Sequence, residues 1–438
     1  LNWLVVSLIK TNKYHPYLII GENKEIKMVE NMKLQFLGGV SKVGPLSMVM
    51  NYNDMTLIFD HGMLPANPPE YPMRSPLVDM AFLSHSHLDH CGMLPALIRQ
   101  NDINVLSTHP TLEVTELLLY DSLKIANIEG YPKHFEKEDI KRTKASFDIV
   151  GYNSKRDIGP MDVEVHSAGH IPGSSMYELL GDTTTLFTGD INTVNSRLVW
   201  GAHPVKCDNL ILEATYAGEE HPDRIETEEA FLDKVDETLD RGGQVIIPVF
   251  AVGRTQEMLM LLDDRDYEVW VDGMGRTVNK IYRNHEGFIR SKPDLERAIA
   301  NTNEVKSKST REQAKDGEVI VTTSGMLEGG PVLHYLQEIR KDPKSSILLT
   351  GYQVEGTNGD MLLKNGMIQD RGATLPVECE VERFDFSAHA GHSDLIEFAE
   401  GCEPENIILM HGDNRDAMAE DLSEFNVYVP DEGDVIEL

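Results

Sequence analysis

Apolar positions along this chain arrive in short runs, and many runs stop beside a side chain with chemistry in it. Residues 32–37, 56–59, 78–83, 162–166, 185–187 and 407–410 have the length and apolar density of buried strands, with glycine or polar residues at their ends. Asp60 closes the second run, His85 and His87 follow the third, and Asp190 and His411 follow the last two. His170 stands in the small-residue loop 167–174 after the fourth run. Met93, Leu94, Leu97 and Ile98 recur at helical spacing, which puts Asp89 and His90 near a helix start. Side chains of extended backbone alternate, so His85 and His87 face one way, while the turn into the helix swings Asp89 and His90 toward a neighbouring point. Ligand-bearing ends on this many strands imply a single sheet edge where they converge.

The stretch between Asp190 and His411 has a different rhythm. Runs at 245–249, 268–272, 318–321 and 346–349 read as buried strands separated by helical segments, which predicts a small α/β unit with a parallel sheet. The 438 residues are enough for two or three domains. The segment 1–31 is expected to be an extension whose place in the fold is uncertain, because the first clean strand starts at Met32. No apolar run reaches membrane-spanning length, and no signal peptide is recognisable, so no membrane is expected. Cys91, Cys207, Cys379 and Cys402 are scattered, as in a reduced cytoplasmic protein. The net charge of −32 suits a salty cytoplasm and by itself argues against a nucleic-acid partner, though it leaves room for a local basic cleft.

The candidate chemistry is that of metal ligation. Imidazoles and carboxylates aimed at two adjacent points suit two zinc ions better than one. Asp60 is placed to orient a metal-bound histidine, and Asp190, as a carboxylate, can bridge two ions where an imidazole cannot.

The order Asp60, His85-x-His87-x-Asp89-His90, His170, Asp190, His411 resembles the metal-site motifs of the metallo-β-lactamase fold, from about Met32 to the C-terminus. The segments 250–257, 323–331 and 351–357 look like the hallmark stretches of the β-CASP domain, the cap of nucleic-acid-processing members of that superfamily. Glu213, His389 and His411 match its further motifs. The resemblance implies an α/β chain: an αββα sandwich with an inserted β-CASP domain built on a parallel sheet. The expected boundaries are 32–217 for the first part of the lactamase domain, 218–384 for the β-CASP domain and 385–438 for the C-terminal return. It implies that His85, His87 and His170 hold one zinc, that Asp89, His90 and His411 hold the other, and that Asp190 bridges them.

A histidine at position 411 is similar to the RNA-cleaving branch, and the segment 324–331 to the cleavage and polyadenylation specificity factor branch, in its short archaeal form without KH domains. The implied activity is hydrolysis of single-stranded RNA to 3′-hydroxyl and 5′-phosphate ends, internally or from the 5′ end. Asp60, Asp89, Glu213 and His389 are the expected catalytic group, with His389 as the acid held by Glu213. Arg254, Ser324, Gly325 and Gly329 are expected to hold substrate, the arginine lining an RNA path and the glycine loop presenting amides to phosphate. A homodimer or a complex with a paralogous subunit is the expected assembly. Two departures from the family pattern, at 40–46 and 390–392, touch no metal ligand. The competing readings are an inactive scaffold subunit of an RNA-processing complex and a metallo-hydrolase acting on a small ester.

Overall fold

A computed structural model describes residues 32–438; the expected extension 1–31 lies outside the described residues. Two seven-stranded mixed sheets lie face to face. One carries, in spatial order, Val435–Glu437, Met32–Gly38, Ser47–Tyr52, Met55–Phe59, Met80–Phe82, Asn104–Thr108 and Phe147–Val150. The other runs Asn426–Tyr428, Asn406–Met410, Asn209–Glu213, Thr184–Phe187, Ser175–Leu180, Asp162–Ser167 and Ser154–Asp157. Their inner faces share one core, in which Phe36, Phe59 and Phe82 of the first sheet meet Tyr177, Phe187 and Ile408 of the second. The rings of Phe59 and Phe82 stack at 4.7 Å, and Phe187 lies 4.8 Å from Phe59. At about 25 cal/mol per Å² of apolar surface removed from water, such rings are the main glue between the sheets.

Each outer face is covered by helices. Leu94, Leu97 and Ile98 of Leu94–Gln100 pack under Val49, Ile58 and Ala81, while Leu395, Phe398 and Met418 cover Leu186, Leu210 and Leu212. This is the αββα sandwich the sequence motifs imply.

The third sheet is all parallel, in the order Asn303–Glu304, Val269–Asp272, Val319–Thr322, Val245–Pro248, Ser346–Leu349, Glu380–Arg383. Both its faces are buried, which is why its strands read as unbroken apolar runs. Val245 and Ile247 face one core, and Ile246 the other. The first of these cores also takes in Val114 and Ile171 of the sandwich, so the inserted layer packs against the loop that carries His170. The four cysteines are buried free thiols. Among the described residues no helix is long and apolar enough to cross a membrane.

Candidate metal centre

The candidate metal-site residues stand where strands run out. Asp60 follows Met55–Phe59, His85 and His87 follow Met80–Phe82, and Asp89 and His90 sit in the short helix Leu88–Cys91. On the facing sheet, His170 follows Asp162–Ser167, Asp190 follows Thr184–Phe187, and His411 follows Asn406–Met410. Met55–Phe59 and Met80–Phe82 pair in parallel, Thr184–Phe187 and Asn406–Met410 both pair in parallel with Asn209–Glu213, and Asp162–Ser167 runs the same way beyond the antiparallel Ser175–Leu180, so their carboxyl ends open on one edge. Two glycines let the backbone close on this edge. A Cβ on Gly62 would fall 1.5 Å from the Asp89 carbonyl oxygen, and one on Gly412 would fall 2.0 Å from that of Ala214.

Seven side chains bring their donor atoms together in two sets. Two ligands about 2.05 Å from one ion at a tetrahedral angle stand about 3.3 Å apart, which is the spacing to look for. In the first set, His87 Nδ1 lies 3.0 Å from both His85 Nε2 and His170 Nε2, and His85 Nε2 is 3.5 Å from Asp190 Oδ2. In the second, His90 Nε2 is 3.2 Å from Asp190 Oδ2 and 3.8 Å from Asp89 Oδ2, and His411 Nε2 is 3.8 Å from Asp89 Oδ2. The other Asp190 oxygen faces His411 at 3.9 Å, which puts this carboxylate between the sets. His90 Nε2, His411 Nε2 and Asp190 Oδ1 are buried without a hydrogen-bond partner. Orphaned polar atoms of this kind are costly, and a cation would satisfy all three. The donor set therefore fits bound metal.

The far sides of the His90, His170 and His411 imidazoles are also occupied. His90 Nδ1 donates to Asp60 Oδ2 at 2.7 Å, His170 Nδ1 to the Ala388 carbonyl at 2.7 Å, and His411 Nδ1 to the Gly39 carbonyl at 3.0 Å. These bonds put the proton on Nδ1 and leave the Nε2 lone pair for an ion. Asp60 is itself gripped by the Ser84 backbone N–H and hydroxyl, both at 2.7 Å. Burial pushes His85, His87 and His170 below the usual imidazole range, toward the neutral form that ligates. Ser84, which also lies 3.1 Å from His85 Nδ1, is a site residue that sequence reasoning passed over, although it directly precedes the histidine cluster.

His389 stands outside both ligand sets. Its Nδ1 donates to Glu213 at 3.0 Å, and its Nε2 faces Asp190 Oδ2 at 3.9 Å. Glu213 is fully buried and also accepts from the Ile191 N–H at 2.7 Å. Burial pulls the His389 imidazole down, but the charges of Glu213 and Asp190 and the Glu213 hydrogen bond outweigh it and raise the pKa to about 9. The Tyr216 ring packs 6.0 Å from His389 and 4.4 Å from His221, whose Nδ1 bonds Asp385 at 3.0 Å. Nothing in the local sequence announced His221 or Asp385, which are brought together from 164 residues apart.

The expected substrate residues are placed differently. Arg254 starts the helix Arg254–Leu262, every residue of which is buried, and only 8% of Arg254 is exposed. Its guanidinium pairs with Glu257, which also pairs with Arg224, and lies 5.8 Å from the Phe386 ring centre. The expectation that Arg254 lines an RNA path is corrected: the side chain is enclosed as an internal ion-pair partner, because its helix is sandwiched between the parallel sheet and the lactamase half. Gly325 packs on the backbone of Phe250, Gly329 faces open space, and the Ser324 hydroxyl is buried without a partner.

Three family models match in chain order: a metallo-beta-lactamase superfamily domain over 49–203, a Beta-Casp domain over 255–362, and a Zn-dependent metallo-hydrolase RNA specificity domain over 374–430. A probable RNase, MJ4, of Methanocaldococcus jannaschii is 36% identical over 87% of this chain and 93% of its own. The chain belongs to the β-CASP family of the metallo-β-lactamase superfamily. It is a metal-dependent hydrolase of that family, similar to archaeal members. RNase aCSPSF2 of Saccharolobus solfataricus is 33% identical over 93% of this chain and 86% of its own. The transcription termination factor FttA of Lokiarchaeum is 31% identical over 87% of this chain and 67% of its own. A solved structure of a protein of unknown function from Enterococcus faecalis shares the fold, with a TM-score of 0.59 at 16% identity, over 93% of this chain and all of its own.

Proposed function

We propose that this β-CASP protein is a two-zinc ribonuclease that hydrolyses single-stranded RNA to 3′-hydroxyl and 5′-phosphate ends in the cytoplasm. The observation that carries the reading is His389, an imidazole held against a buried carboxylate at the rim of a complete ligand set, yet not needed as a ligand. His85, His87 and His170 would hold one zinc, Asp89, His90 and His411 the other, with Asp190 shared. Zinc bound there lowers the pKa of water toward about 7 and neutralises charge on a phosphate oxygen.

The remaining steps belong to the chain. Asp60, Ala388 and Gly39 fix the imidazole rings, so the ligand sets are organised before substrate arrives. His389 Nε2 faces Asp190 from outside both ligand sets, and it donates the proton that the departing 3′ alkoxide needs to become the 3′-hydroxyl. Glu213 keeps the ring oriented and stabilises its protonated form. Residues 218–384 are the substrate-covering domain in this reading. The names of the archaeal relatives, which include RNases, support RNA as the substrate.

Wild type and the Asp89→Ala/His90→Ala variant should be compared on RNA labelled at the 5′ or the 3′ end, with zinc content measured on both. Cleavage lost in the variant, with 3′-hydroxyl and 5′-phosphate products, is the expected result. A 2′,3′-cyclic phosphate would overturn the mechanism, and equal cleavage by both proteins would overturn the site. Internal fragments would mark an endonuclease, and release from the 5′ end alone an exonuclease.

A further inference from the structure

A second cluster of ligating side chains lies apart from the hydrolytic centre, where the two halves of the molecule meet. His109 and Glu113 are four residues apart on the helix His109–Glu129 of the lactamase half, so they share one face. His285 comes from the other half, between Gly275–Tyr282 and the turn Glu286–Phe288. His285 Nε2 lies 3.3 Å from His109 Nδ1 and 3.2 Å from Glu113 Oε2, and His109 Nδ1 is 3.8 Å from Glu113 Oε1. All three ligating atoms fall within 4.8 Å of one another. The two shorter separations match the roughly 3.3 Å that tetrahedral ligands about 2.05 Å from one ion require.

We infer that His109, Glu113 and His285 form a separate site for one divalent transition ion that clamps the lactamase half to the inserted domain. Two imidazoles and one carboxylate select zinc-like ions over calcium or magnesium, and the partly exposed position of His109 leaves a fourth place for water. Both sides of the clamp are firmly seated. Val114 is buried in the core shared with the parallel sheet, and the His285 N–H bonds the carbonyl of fully buried Tyr282 at 2.9 Å. The Thr108 hydroxyl, just before the helix, donates to the Gly173 carbonyl in the loop that carries His170. An ion here would therefore tie the inserted domain to the same wall that holds the hydrolytic ligands.

The test uses the full chain, equilibrated with excess zinc and freed of unbound metal, with metal counted by elemental analysis. His285→Ala, Glu113→Gln and His109→Ala are each made in wild type and in the Asp89→Ala/His90→Ala background. Each is expected to lose one zinc per chain relative to its own parent, in both backgrounds, so the result does not depend on how the hydrolytic centre is filled. With cobalt in place of zinc, the parent-minus-variant spectrum should show the visible bands of a four-coordinate ion. Equal zinc content in parent and variant, with unchanged circular dichroism, would overturn the inference. Should His285→Ala fail to fold, His109→Ala still decides, because its side chain is 47% exposed and removes a ligand with little packing.

Discussion

Asp60→Asn isolates what the buried carboxylate does for the metal centre. The backbone at Asp60 has φ 55°, a region asparagine tolerates as well as aspartate, so the substitution keeps shape and changes only charge and hydrogen-bond character. Asp60 receives three donors: the Ser84 N–H on Oδ1, and the Ser84 hydroxyl and the His90 Nδ1–H on Oδ2. An asparagine amide can accept on one side only. With its NH₂ toward the Ser84 backbone, two donors collide at a group that cannot turn away. With its NH₂ toward His90, the imidazole must move its proton to Nε2, the atom that faces Asp190 and Asp89. The first outcome leaves a buried donor unsatisfied, worth about 1–3 kcal/mol, and the second takes from His90 Nε2 the lone pair that would hold an ion.

Loss of such an orienting partner typically weakens metal binding by about 10–100-fold. The assay is competition for zinc against a chromogenic chelator, which separates tight from weakened sites within one titration. In the proposed two-zinc centre, Asp60→Asn should weaken binding at the Asp89, His90 and His411 set by that factor, while binding at the His85, His87 and His170 set changes less. A variant that binds both ions as tightly as wild type would refute the claim that Asp60 sets the His90 tautomer.

The His389 imidazole is raised by Glu213, so it stays protonated until pH climbs through its pKa; in Glu213→Gln the alkaline limb of the pH–rate profile should move to lower pH, and an unmoved limb would remove His389 as the acid. Gly412→Ala drives a methyl into the Ala214 carbonyl and must displace His411, so zinc content should fall and the melting temperature drop, by an overpacking penalty of about 1–3 kcal/mol; retained zinc and stability would count against the close approach. Glu257→Gln leaves buried Arg254 without its carboxylate, while Arg224 keeps Glu228, and should cost about 3–5 kcal/mol in urea unfolding, whereas Arg254→Ala should cost less because Glu257 keeps Arg224; the reverse order would show the pairing is not what anchors this helix.

Several of the candidate ligands were readable because they sit within a few residues of the end of an apolar run, and strands running the same way must deliver their carboxyl ends to one edge. Local sequence thus fixed both the residue type and its direction at Asp60, His85, Asp190 and His411. The parallel sheet was readable because strands buried on both faces leave unbroken apolar runs, whereas the sandwich was legible only through the resemblance of the metal-site motifs. Arg254 was misjudged because polar residues at a helix start normally face water, yet Arg254, Thr255, Gln256 and Glu257 are all buried here. That burial depends on Arg224 and Phe386, which come from other parts of the chain, and no local pattern encodes their arrival.

The same limit separates the two clusters of ligands. Within the hydrolytic centre, four of the seven donors come from one stretch of six residues, so the sequence announces it before the fold is known. His109 and His285 are 176 residues apart and meet only because a lactamase helix and the inserted domain share a core. A site of that kind depends on domain packing in a way the hydrolytic centre does not. Any change that separates the two halves should therefore empty the clamp first and leave the hydrolytic ligands, all built on the sandwich, in place.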